Sequence, residues 1–95
     1  MGILIVGGDR LGEIPARLRS LGFREIEHVT GRKKGKMLVP IRASHHLILV
    51  LTDCVNHQIV KTIKRQAKHK KKRVVFVRRA WSAIASALLA ACEVR

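Results

Sequence analysis

The chain has 95 residues, enough for one domain over residues 1–95 with its own core and too few for two. Hydrophobic residues make up 47% of the chain, which excludes wholesale disorder, and with two Phe, one Trp and no Tyr we expect an aliphatic core. The formal net charge of +14 favours anionic partners, namely phosphates, nucleic acid or an anionic surface.

The first half of the chain alternates strand and helix patterns. A continuous apolar run over residues 3–6 is typical of a strand that is buried on both faces. Apolar residues at helical spacing then predict a short helix with Pro15 near its start and Gly22 just beyond its end. Residues 23–29 predict a second strand at an edge of the sheet, and residues 30–44 read as a basic loop followed by a short helix or an irregular crossover.

The second half repeats the alternation. Residues 47–51 form the clearest buried strand, and Thr52 or Asp53 can cap the amphipathic helix that follows it. A fourth strand over residues 73–77 and a last helix over residues 81–93 complete the pattern. These elements predict a small three-layer α/β/α sandwich of the Rossmann or flavodoxin type, with a four-stranded parallel sheet in the order 2-1-3-4.

Two further expectations concern the cellular setting. The longest apolar runs are far shorter than a membrane-spanning helix, so we expect no membrane span. Cys54 and Cys92 lack the spacing of a zinc site, and the start of the chain reads as a strand rather than a cleavable leader. We therefore expect reduced thiols and a cytoplasmic protein.

Each predicted strand is followed directly by a polar cluster. Parallel strands place these clusters at the same edge of the sheet, where open α/β folds bind their ligands. We therefore expect a small anionic ligand there, held in a non-enzymatic binding or sensor module. The residues assigned to this ligand are Gly7, Gly8, Asp9, Arg10, Arg32, Thr52, Asp53, Asn56, His57, Arg78 and Ser82.

Several of these residues also admit a structural role. The pair Gly7 and Gly8 resembles a loose dinucleotide turn, so a nucleotide is one candidate ligand, but the pair can simply permit a tight turn with Asp9 capping the helix. Asp53 and His57 can ligate a metal or form an acid/base pair, or Asp53 can cap the helix while His57 accepts a hydrogen bond from a neighbour. The chain shows no Ser-His-Asp order, paired catalytic carboxylates or P-loop lysine, so nothing in it requires an enzyme.

A haem or transition-metal site is the second hypothesis. His57, with His28 at the end of the second strand, supplies imidazoles that suit such a group, although both can equally be hydrogen-bonded structural side chains. The other three histidines, His45, His46 and His69, are expected to serve solubility.

Two surfaces suggest macromolecular partners. Nucleic acid is a third hypothesis, with sequence-independent binding through the basic helix at Lys61, Lys64, Arg65 and Lys68. A solvated helix face is the alternative, because exposed aromatic platforms are scarce in this chain. The last helix spreads apolar side chains over most of its circumference, which predicts a homodimer contact or a loosely packed alanine-rich surface.

Four groups of residues occur in a specific order: residues 3–9, His28 with residues 31–33, residues 51–57, and Arg78-Arg79 with Trp81-Ser82. In this order they resemble the small bacterial proteins of domain of unknown function family 2325. The resemblance covers nearly the whole chain and implies a compact Rossmann-like bacterial domain without an established activity. Ala80, where a serine is more often expected, and the strongly basic segment 30–44 depart from the family pattern.

Overall fold

A computed structural model of the protein describes residues 1–30 and 41–93. Within them one parallel sheet has the spatial order β2-β1-β3-β4, which confirms the predicted order. Its strands are β1 (Gly2–Val6), β2 (Glu25–Val29), β3 (His45–Leu51) and β4 (Arg73–Val77). The helices are α1 (Ile14–Ser20), α2 (His57–Lys70) and α3 (Trp81–Glu93), and a short 3-10 helix spans Thr52–Cys54.

Both faces of the sheet are covered, which gives the three predicted layers. On one face, side chains of α1 and α3 such as Leu18 and Ile84 pack over Ile3 and Ile5 of β1. On the other face, α2 packs over the alternate residues of the central strands. Side chains of both belong to a second apolar cluster, from the strands Leu4, Val6, Ile48 and Val50 and from α2 Ile59, Ile63 and Ala67. Because successive side chains of a strand point to opposite faces, the central strands β1 and β3 must be apolar on both.

The edge strands β2 and β4 are only half-buried. Within the described residues each pairs with a single strand, and charged side chains such as Glu25 and Arg73 are exposed. None of the helices in the described part of the chain is long and apolar enough to cross a membrane.

The helix starts differ from those that the sequence suggests. The residue before α1 is Glu13, which makes no side-chain cap hydrogen bond, so Asp9 does not cap this helix. The cap of α2 is Asn56, whose Oδ1 accepts a hydrogen bond from the backbone N–H of Ile59 at 2.9 Å. The prediction that Thr52 or Asp53 caps α2 is wrong, because the 3-10 helix over these residues separates β3 from α2.

His45 and His46 are the first two residues of β3 and lie at the sheet edge opposite the strand carboxyl ends. His45 is 1% exposed, and its Nδ1 accepts a hydrogen bond from the backbone N–H of Arg42 at 3.0 Å. Its Nε2 lies 3.0 Å from Oε1 of Glu27. His46 is exposed, but its Nδ1 accepts from the backbone N–H of Gly2 at 3.1 Å. The expectation that these histidines serve only solubility is therefore wrong for His45.

Candidate functional site

The carboxyl ends of the strands meet at one edge of the sheet. Val6 of β1 is in register with Val29 of β2 and with Val50 of β3, and Leu51 of β3 is in register with Val77 of β4. The residues that directly follow each strand therefore emerge side by side. This is the edge at which the sequence places a ligand.

The turn after β1 is locked on both sides. The Gly7 N–H donates to the Val29 carbonyl at 2.8 Å, and the Gly7 carbonyl oxygen lies 2.9 Å from His28 Nε2. A carbonyl only accepts, so His28 carries its proton on Nε2. The φ of Gly7 is +111°, and a Cβ atom there would come within 2.9 Å of Val55 Cγ1. Only glycine therefore allows the backbone to pass this close to the loop after β3.

Arg79 connects the loops that follow three of the strand regions. Its backbone N–H donates to Oδ1 of Asp53 at 2.8 Å, which joins the end of β4 to the 3-10 helix after β3. Its guanidinium donates to the backbone carbonyl of Arg10, in the segment after β1. A Cβ atom built on Gly8 would lie 3.9 Å from Arg79 Cδ, so this turn also borders the arginine. Arg79 is thus the residue that organises this edge.

A groove of about 240 Å³ opens beside Arg79, between the start of α1 and the start of α3. The Arg17 guanidinium lies 5.6 Å from the ring centroid of Trp81 and 3.2 Å from Oε2 of Glu13. Two guanidinium groups and one indole thus border the same space, which is lined by Leu11, Gly12, Glu13, Ile14, Arg17, Arg79 and Trp81.

Cys54 lies next to the Asp53–Arg79 contact. Its Sγ is 3.8 Å from Asp53 Oδ1. Burial, followed by the negative charge of Asp53, raises the pKa of the Cys54 thiol, whereas the charge of Arg79 lowers it. Since a thiolate is the reactive form of cysteine, this environment holds Cys54 in its unreactive form.

The structure brings together only some of the predicted ligand residues. Arg79 donates hydrogen bonds to Asp53 and to the carbonyl of Arg10. The turn after β1 is beside them: Gly8 borders the Arg79 side chain, and Gly7 borders the loop after β3. Asn56 is engaged in capping α2, and Arg32 lies with segment 31–40 outside the described residues. The remaining predicted residues are exposed around this edge: Asp9, Thr52, His57, Arg78 and Ser82.

Sequence reasoning missed most of the groove. Arg17, Arg79 and Trp81 are not among the ligand residues expected from the sequence, whereas Arg78, the neighbour of Arg79, is. Nothing in the spacing separates these adjacent arginines. Glycine and proline signals near α1 did show that the chain turns there, but only the packing of α1 beside α3 brings Arg17 to Trp81.

The haem or metal hypothesis stays a prediction. Across residues 1–30 and 41–93, no group of three or more His, Cys, Asp or Glu side chains is placed to hold a metal ion. His28 uses its Nε2 for the hydrogen bond to the Gly7 carbonyl. Asp53 Oδ1 accepts from the backbone N–H of Arg79, and the pairing of Asp53 with His57 as acid and base also stays a prediction.

The homodimer contact on α3 also stays a prediction. Ile84 and Leu88 are buried against the sheet, whereas Leu89 is 64% exposed. The helix therefore has an apolar side chain directed away from the core.

Comparison with known families gives one match. The model of domain of unknown function family 2325, an uncharacterized protein conserved in bacteria, matches residues 2–91. Neither the curated proteins nor the solved structures give a match.

Proposed function

We propose, from the premise that this chain belongs to domain of unknown function family 2325, that it is a non-enzymatic binding module for a small anionic ligand with an aromatic or apolar part. The observation that supports this proposal is the groove in which Arg79 and Arg17 border the ring of Trp81. The anionic group of the ligand binds Arg79, and its apolar part lies against Trp81.

Arg79 suits the anionic group because its position is held independently of a ligand. Its backbone is tied to Asp53, and its guanidinium bond to Arg10 uses one of five N–H donors. The remaining donors can meet a phosphate or carboxylate in the paired geometry that arginine favours. A side chain that is already oriented loses less conformational entropy on binding than a free surface arginine does.

Arg17 and Trp81 supply the second half of the site. Arg17 pairs with Glu13, but the side chains are 49% and 81% exposed, so this ion pair is weak and a stronger anion can replace it. The indole then offers a flat apolar face beside two positive charges. This combination selects for a ligand that carries both an anionic group and a ring or apolar body.

The chemistry around the groove argues for binding rather than catalysis. Asp53 is occupied by the Arg79 backbone, and Cys54 is held in the thiol form. Neither group is placed as a general base or an activated nucleophile.

Trp81 is the single tryptophan of the chain and therefore reports on the groove by its own fluorescence. We would titrate the protein with inorganic phosphate, pyrophosphate, nucleoside monophosphates and aromatic carboxylates at constant ionic strength. We expect saturable changes in emission for ligands that join an anion to a ring. We expect Arg79→Gln to weaken that binding by about 10- to 100-fold, the loss that follows removal of a charged hydrogen-bond partner.

Arg24→Gln is the matched control, because Arg24 is exposed, carries the same charge and lies outside the groove. Its affinity should equal that of the unaltered protein. The proposal is refuted if every anion gives the same salt-like response. It is also refuted if Arg79→Gln and Arg24→Gln bind equally well.

A further inference from the structure

The positive charge of this protein is strongly uneven along the chain. No acidic residue occurs between Asp53 and Glu93, yet ten of the twenty Lys and Arg residues lie in that interval. A helix surface that only needs to be soluble usually mixes both signs of charge. The helix α2 carries positive charges alone.

Only part of this charge serves the fold. Lys70 donates through Nζ to the Ile41 carbonyl at 2.9 Å, and Lys72 donates to the Ala43 carbonyl at 3.1 Å. These two lysines fasten the segment before β3. Four other cations on α2 are exposed to solvent, and we call them the α2 cationic face: Lys61, Lys64, Arg65 and Lys68.

The like charges of the α2 cationic face repel one another. Lys61 and Arg65 are four residues apart, as are Lys64 and Lys68, so each pair places like charges on adjacent turns of the helix. Such pairs destabilise a helix. A bound polyanion would remove this repulsion and release its own counterions at the same time.

An aromatic ring borders this face. Phe76 of β4 is in register with Val50, which packs on the α2 side of the sheet, so Phe76 lies on that side too. Its ring is 37% exposed, and the Lys64 Nζ lies 5.3 Å from the ring centroid. Phe76 is on an edge strand, and among residues 1–30 and 41–93 no further strand lies beside it. The composition predicts few exposed aromatic side chains, but Phe76 is one of them and lies beside the α2 cationic face.

We propose that the α2 cationic face and Phe76 form a sequence-independent binding surface for single-stranded nucleic acid. The cations contact successive phosphates, and one unpaired base stacks on Phe76 in the place that Lys64 now occupies. Lys61 and Lys68 are seven residues apart, about 10 Å along the helix, so the stripe suits a backbone with several phosphates. A duplex hides its base faces, which is why an aromatic beside cations favours a single strand.

This surface is separate from the anion groove. The groove lies on the face covered by α1 and α3, whereas α2 covers the opposite face of the sheet. Changes at the two places can therefore be tested independently.

The test is fluorescence anisotropy with a labelled oligothymidine of about 12 nucleotides, measured over a range of salt that includes about 0.15 M. We expect Lys64→Gln with Lys68→Gln to weaken binding and to reduce the slope of log affinity against log salt by about 1.4, for two lost phosphate contacts. We expect Phe76→Leu to weaken binding by about fivefold at unchanged slope, because it removes stacking but no charge.

The matched control is Arg19→Gln with Arg24→Gln, which removes the same charge from exposed positions near α1. It should leave the salt slope unchanged. The proposal is overturned if this control weakens binding as much as the α2 pair does, if Phe76→Leu binds like the unaltered protein, or if a duplex of equal length binds as tightly. Retention on anionic lipid vesicles without binding of the oligonucleotide would also overturn it, in favour of a membrane surface. Circular dichroism of each variant verifies that it is folded.

Discussion

Replacement of Gly7 by alanine should strain the turn after β1, which forms part of the candidate site. The φ of +111° places an L-residue in a conformation that costs about 1–2 kcal/mol. The new Cβ atom would also come within 2.9 Å of Val55 Cγ1 and 3.1 Å of the Leu51 carbonyl oxygen. Overpacking of this kind adds about 1–3 kcal/mol, and the stiffer unfolded chain offsets about 0.4–1 kcal/mol.

The expected loss in the free energy of unfolding for Gly7→Ala is therefore about 1–5 kcal/mol. The backbone cannot shift freely to relieve the clash, because both the N–H and the carbonyl of Gly7 are hydrogen-bonded. Urea titration followed by Trp81 fluorescence measures this loss directly.

Gly12→Ala is the control for the backbone term alone. Gly12 also has a positive φ, of +57°, but a Cβ atom there meets nothing within 4 Å. We expect this substitution to lower the free energy of unfolding by at most about 1.6 kcal/mol. If Gly7→Ala proved no more destabilising than Gly12→Ala, the close approach of the β1 turn to the loop after β3 would be refuted.

Two further predictions concern polar groups whose roles the fold decides. His45→Ala should lower the free energy of unfolding by about 2–4 kcal/mol, because it removes the hydrogen bonds to Glu27 and Arg42. The control His69→Ala, at an exposed position, should change it by no more than about 0.5 kcal/mol. Equal losses for the two variants in thermal unfolding would contradict the buried role of His45. Asp53 raises the pKa of Cys54 and Arg79 lowers it, so Asp53→Asn should shift the pH midpoint of iodoacetamide labelling downward and Arg79→Gln should shift it upward. Cys54→Ser measures the background labelling of Cys92. An unchanged midpoint in Asp53→Asn would contradict the coupling between Asp53 and Cys54.

Much of the fold could be predicted because the strongest patterns are local. A strand buried on both faces must be apolar at successive positions, and residues 3–6 and 47–51 are the clearest such runs, so the two central strands were identifiable. Helix and strand alternation then leaves few topologies, and the observed sheet order is among the simplest. The edge position of β2 was identifiable from its charged residues Glu25 and Glu27.

The helix caps were not predictable with the same accuracy. Thr52, Asp53 and Asn56 all have side chains that can cap α2, and their preferences for this position are similar. The choice of Asn56 depends on how far the 3-10 helix extends beyond β3. Likewise, the burial of His45 depends on Glu27, which reaches it from a strand that is not its sheet neighbour.

The sequence by itself determined the parallel sheet, its order and the edge at which the polar clusters collect. Hydrophobic periodicity is a property of neighbouring residues, and the alternation of strands and helices sets the strand direction. Only the tertiary structure decided which members of those clusters act together. Arg79, and not Arg78, donates hydrogen bonds to Asp53 and Arg10, and Arg17 of α1 lies over the ring of Trp81 of α3. Such contacts join residues far apart in the chain, and their side-chain directions follow from packing, which no local pattern specifies.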